Sequence, residues 1–285
     1  MNSSQVGTAK MRLGCRIFQI FKGDWVSAFN YASRHGLQSI QINAVHEDEV
    51  AILQEQMDRT GITISSVGAM SRKMLGPDLL QAMTDQEMVK RQIHMASRLG
   101  IPLVSQFAGN DPGKSFNENI EIFTKVFTPL VRLAEEKGVK LVFENCPLIE
   151  EPSFTVQNLA YSPAAWDAMF EAIPSPALGL EFDTGHPPIL GIDIQRCISE
   201  YKDKIYHIHI KDCRILPEGE YKYGRIGSNY YQYEIPGRGD VNFHELIAAL
   251  QKIGYAGDVT LDLRPTTFEA IEQSISYMKT ILPSQ

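Results

Sequence analysis

Short apolar runs alternate with longer amphipathic stretches along nearly the whole chain, and no other feature constrains the fold as tightly. Periodicity predicts strands over residues 12–20, 39–43, 62–67, 103–107, 140–145, 178–183, 205–211 and 259–263. Each leads into a helical pattern, over 25–35, 47–59, 85–99, 117–137, 163–172, 194–201, 243–253 and 267–281. Thr84 is the expected cap of the third helix, and Pro163 opens the fifth. Strict alternation implies parallel strands joined by crossover helices. Eight such units in 285 residues point to an α/β fold, a closed (β/α)8 TIM barrel. The rival is a doubly wound open sheet, but no GxGxxG follows an early strand. Hydrophobic residues make up 44% of the chain, enough for one large core, and no linker divides it, so residues 11–285 read as a single domain. Residues 1–10 are polar and read as a frayed terminus rather than a signal peptide. No apolar run approaches a membrane span. The four cysteines are scattered without a CxxC, as expected of a reduced, cytoplasmic protein. A net charge of −7 argues against nucleic acid as a partner.

Strands point alternate side chains to opposite faces. In IYHIHIKDC, residues 205–213, one face holds His207, His209 and Lys211, and the other holds Tyr206, Ile208 and Ile210. In a barrel the apolar face meets the helices. The two imidazoles and the ammonium therefore face the axis, near the strand ends where barrel active sites lie. The same parity turns Glu144 inward from KLVFENCP, Glu181 and Asp183 from LGLEFDTGHP, and Asp262 and Arg264 from DVTLDLRP. Four successive strands thus deliver Glu144, Asp183, His209 and Asp262 to one place. Three converging carboxylates repel, and buried charge is costly unless paired or metal-bound. A divalent cation resolves the repulsion. Oxygen-rich ligation with one nitrogen suits Mn²⁺ or Mg²⁺, with Co²⁺ or Zn²⁺ as alternatives. His207, deeper in the barrel, is expected to orient a ligand, and Glu181 to pair with His207 or Lys211. His46, after the second strand, is a candidate for the mouth. Residues 214–238 hold five tyrosines and read as a long loop, either a lid over the barrel mouth or a packed surface excursion or subunit contact.

FEN, DTGH, HIHIKD and PGRGDVNFHELIAALQKIGYAGDV together resemble the sugar phosphate isomerase/epimerase family with the xylose isomerase-like TIM barrel. The resemblance runs from about Arg12 and is strongest from Glu144 onward. It implies one divalent metal ion, Mn²⁺ first, on Glu144, Asp183, His209 and Asp262. It also implies that His186 of DTGH contacts substrate; Lys211, Arg264 and His46 are the other substrate-binding candidates. One departure stands out: the last ligand is commonly Glu, and Asp262 is one methylene shorter. The implied chemistry is proton abstraction next to a keto-sugar carbonyl through a metal-stabilised enediolate. Glu144 is the first candidate base and Asp262 the candidate for the opposite face. Proton return to the neighbouring carbon makes an isomerase, and return to the other face of the same carbon an epimerase. Expulsion of a β group makes a lyase or dehydratase on a 3-oxo-glycoside or keto-polyol. The ligand set is common to all three. An endonuclease on abasic DNA would need more ligands and a basic groove than seven histidines and this charge provide. A non-catalytic sugar-binding barrel is the last alternative. The expected partner is a small sugar or keto-sugar, on a chain that can form a homo-oligomer.

Overall fold

A computed structural model describes residues 10–151 and 153–283; of the expected frayed segment, residues 1–9 lie outside the described residues. Eight strands close into a barrel: β1 (Arg12–Cys15), β2 (Ser39–Asn43), β3 (Thr63–Gly68), β4 (Leu103–Gln106), β5 (Lys140–Glu144), β6 (Leu178–Asp183), β7 (Ile205–Ile210) and β8 (Asp258–Leu261). Each pairs in parallel with its sequence neighbours, and β8 closes on β1. This is the expected (β/α)8 fold, with a helix after every strand. Outward side chains pack on the helices. Phe143 of β5 meets Phe127 at 4.9 Å and Phe123 at 5.5 Å between ring centroids, and Phe182 of β6 meets Trp166 at 6.1 Å. Each of these fully buried rings contributes about 1.5–3 kcal/mol of transfer free energy. Among the described residues no helix is long and apolar enough to cross a membrane.

Three local expectations need correction. β1 ends at Cys15, because the Ile17 carbonyl accepts from the Ile20 and Phe21 amides and turns the chain into the short helix Phe18–Phe21. The third long helix is Leu79–Leu99, capped by Asp78, whose side chain accepts from the Gln81 amide at 3.1 Å. Thr84 is not its cap; its hydroxyl donates to the Leu80 carbonyl at 2.8 Å. The apolar period conceals this early start, since Leu79, Leu80 and Met83 are exposed. Finally, residues 214–238 are not an irregular loop. Asp212–Ile215 pairs antiparallel with Tyr231–Glu234, and the helix Pro217–Tyr223 lies between them. This ribbon and a small hairpin, Ile149–Glu150 with Thr155–Val156, follow the carboxyl ends of β7 and β5.

Candidate active site

The strand register sets Glu144 beside Glu181, Asp183 beside His209, and His209 beside Thr260. Asp262 follows the end of β8. All four expected ligands are buried. His209 Nδ1 lies 3.9 Å from Glu144 Oε1, 3.8 Å from Asp183 Oδ2 and 3.9 Å from Asp262 Oδ2. These separations are too long for hydrogen bonds. His209 Nδ1 and Glu144 Oε2 are buried without a hydrogen-bond partner. One donor atom from each of the four residues lies within 4.8 Å of the other three. An orphaned nitrogen aimed between three nearly equidistant carboxylates fits a cation.

The neighbours fix the donor atoms. His209 Nε2 donates to Gln41 Oε1 at 2.7 Å, which leaves Nδ1 for the cluster. Gln41 in turn donates to Glu181 Oε1 at 2.8 Å. Glu181 also receives the Ser105 hydroxyl and His207 Nδ1, the latter at 2.6 Å, while His207 Nε2 meets Thr260 Oγ1 at 2.8 Å. The expected Glu181–His207 pair is therefore present, and Lys211 lies elsewhere. Its Nζ donates at 2.6 Å to both Asp183 Oδ2 and Asp262 Oδ2. Asp183 Oδ1 is taken by the Gly185 amide at 2.8 Å. Gly185 has no room for a side chain: a Cβ there would meet Lys211 Cγ at 2.7 Å. Arg16 Nη1 reaches Asp262 Oδ1 at 3.2 Å.

Charge supports the same conclusion. Four buried carboxylates, Glu144, Glu181, Asp183 and Asp262, face two cations, Arg16 and Lys211. With His209 and His186 neutral, a deficit of two charges is left for one divalent ion to cancel; without the ion, protons on those two rings take its place. Burial alone would lower the His209 imidazole, but Glu181, Asp183 and Glu144 outweigh it and raise it to about 10. Burial likewise opposes a charge on His186, yet Asp183 holds that ring well above its ordinary value. Burial would raise the Asp183 and Asp262 carboxyls. His186 and Lys211 hold the first well below the usual carboxylate range, and Lys211 with Arg16 holds down the second.

A cavity of about 270 Å³ opens over the cluster, near the small end of ligand pockets. Glu144, Asp262, His186, Lys211 and Arg264 all line it. His186 Nε2 stands 3.4 Å from Asp183 Oδ2 and 3.7 Å from Glu144 Oε1, and neither ring nitrogen has a hydrogen-bond partner. His46 lies apart: it is exposed beside the turn Glu47–Glu49, with its amide on Glu49 Oε2, and does not line the cavity. Sequence reasoning missed Arg16, Gln41 and Cys146. The first two have the inward parity of β1 and β2, so the alternation that found His209 would have found them. Cys146 carried no such signal; it lies in the turn after β5.

The family model for the xylose isomerase-like TIM barrel matches residues 29–281. Among curated proteins, the inosose dehydratase of Clostridium perfringens (strain 13 / Type A) is 24% identical over 155 residues, 52% of this chain and 49% of that protein. The inosose dehydratase of Lacticaseibacillus casei is 32% identical over 89 residues, 30% of each chain. The chain thus spans about half the length, or less, of these relatives. Two solved structures share the fold. A D-tagatose 3-epimerase-like protein superposes with a TM-score of 0.76 at 19% identity, covering 95% of this chain and 97% of that one. The 3-keto-D-glucoside 4-epimerase from E. coli gives 0.76 at 17% identity, covering 95% and 100%.

Proposed function

The chain belongs to the xylose isomerase-like TIM barrel family, and from that premise we propose a divalent-metal-dependent isomerase or epimerase that abstracts a proton next to a keto-sugar carbonyl. One observation carries the reading: His209 Nδ1 has no hydrogen-bond partner and lies 3.8–3.9 Å from three carboxylates under an open cavity. Held by Glu144, Asp183, His209 and Asp262, a divalent ion, Mn²⁺ first, supplies Lewis acidity beside the substrate carbonyl. Glu144 takes the proton, because its Oε2 is buried, has no partner, and belongs to a residue on the cavity wall. Asp262 serves the opposite face. Lys211, Arg264 and His186 orient the hydroxyls of the sugar.

A second reading has its own support. Asp262 is tied to Lys211 and Arg16, which makes it a weak base, whereas both His186 nitrogens are free of hydrogen bonds in the same cavity. Glu144 as base and His186 as acid would serve β-elimination from a keto-polyol, the kind of reaction named for the inosose dehydratases. Proton NMR in D₂O on Mn²⁺-loaded protein separates the two. Deuterium uptake with a new ketose or aldose marks isomerisation or epimerisation, and loss of water marks the dehydratase. Neither deuterium uptake nor loss of water from any free ketose, sugar phosphate, 3-oxo-glycoside or keto-polyol refutes both.

A further inference from the structure

A second cavity, of about 190 Å³, adjoins the first. Cys146, Leu148, His186 and Tyr233 line both, so the two share a wall. The partition is thin, with the His186 and Tyr233 rings edge-on, 6.2 Å apart at 87°. Their chemistry differs. The first cavity holds Glu144, Asp262, Lys211 and the arginines, whereas Ile149, Ile189 and Tyr231 belong to the second alone, together with Glu151 and Ser228. Tyr231 and Tyr233 meet at 5.5 Å and 74°, which presents aromatic surface to an occupant.

This side cavity is built by loops of two different barrel units. The Ser228 hydroxyl donates to Glu151 Oε1 at 2.7 Å, joining the segment after β7 to the hairpin after β5. Gly227 allows the approach: its φ is +75°, and a Cβ there would meet the Phe154 ring at 2.8 Å. Tyr230 is fully buried, and its hydroxyl donates to the Ile189 carbonyl at 3.0 Å.

We infer that the substrate is a keto-sugar bearing a second unit with a flat, weakly polar face, an aryl or glycosyl substituent, received by this side cavity. The inference rests on the reading that a keto-sugar binds over Glu144, Asp183, His209 and Asp262. Size agrees, since ~150 Å³ is enough for a benzene ring. Tyrosine rings stack on aryl faces and on the C–H faces of sugars alike. A single sugar ring occupies the charged cavity, and its substituent passes His186 and Cys146 into the aromatic one.

The test is titration calorimetry with Glu144→Gln protein in excess Mn²⁺, where turnover is blocked. The probes are the methyl and 4-nitrophenyl 3-keto-β-D-glucosides and 3-keto-cellobiose. At least one of the two larger probes binds tenfold or more tightly than the methyl glucoside, and which one does so identifies the substituent. Tyr231→Ala, which removes the ring, and Ser228→Trp, which fills the space, each abolish that advantage and leave methyl glucoside binding unchanged. Equal affinity for all three probes overturns the side cavity alone, as does an advantage that survives both variants. Binding of none overturns the side cavity, and if no free ketose or sugar phosphate binds either, the keto-sugar reading falls with it.

Discussion

At the residue scale, the division of labour among the buried acids makes distinct predictions. Glu144→Gln keeps an oxygen donor and loses the base, so turnover should fall on the order of 10²–10⁴-fold while plasma emission still finds metal on the protein. Asp262→Asn separates the two readings: severe loss of turnover supports the two-carboxylate scheme. Near-normal turnover with metal bound shifts the second proton to His186. Glu181 touches His207, Gln41 and Ser105, and meets His209 only at Nε2, 3.2 Å away and on the side of the ring turned from the ligand centre. Its replacement by Gln should weaken metal binding about 10–100-fold, less than Asp183→Asn, as read by competition with a chelating dye. Equal loss at both positions would place Glu181 in the coordination sphere. The cysteines divide just as clearly. Cys15, Cys197 and Cys213 are buried, and burial pushes the Cys197 and Cys213 thiols up to about 12. Cys146 alone of the four is only half-buried, on the wall of both cavities. Native alkylation followed by mass mapping should label Cys146 and spare the rest, and a bound keto-sugar should slow it.

At the scale of elements, the ribbon after β7 shows what periodicity does and does not disclose. Its five tyrosines look alike in the sequence. In the fold, Tyr230 is core, Tyr221 and Tyr223 are exposed, Tyr231 lines the side cavity, and Tyr233 lines both cavities. The expected shared lid function therefore divides. Tyr233→Ala should raise KM with metal content unchanged, Tyr221→Ala should leave kinetics alone, and Tyr230→Phe should cost about 1 kcal/mol in urea unfolding for one lost hydrogen bond. Equal kinetic effects across the five would restore a single lid. The ribbon was illegible because its pairing is specified by tertiary contact. Asp212, for example, accepts the amides of Cys213, Gly237, Gly239 and Val241. The barrel strands and most helices were legible because burial imposes a period of two or 3.6 on them. The start of Leu79–Leu99 was missed where that period fails, at exposed leucines.

For the whole molecule, convergence of Glu144, Asp183, His209 and Asp262 was legible because closing the barrel turns strand parity into position. What parity alone cannot pair are residues far apart in sequence: Gln41 of β2 reaches His209 of β7 from 168 positions away, and Arg16 meets Asp262 where β8 closes on β1. Those contacts gather four carboxylates against two cations in one buried volume. The resulting deficit should make folding depend on the ion. A ligand that binds only the native state at 1,000 times its Kd adds about 4 kcal/mol. At ~2.1 cal/mol/K of unfolding entropy per residue, a chain of this length gains roughly 7 °C in Tm. Scanning calorimetry with Mn²⁺ and with a chelator should show a shift of that order, reduced in Glu181→Gln and largely abolished in Asp183→Asn. An unchanged Tm in wild-type protein, under conditions where metal analysis confirms loading, would mean that the carboxylates are neutralised without an ion. The charge argument for a resident cation would then fail, whatever the enzyme turned out to catalyse.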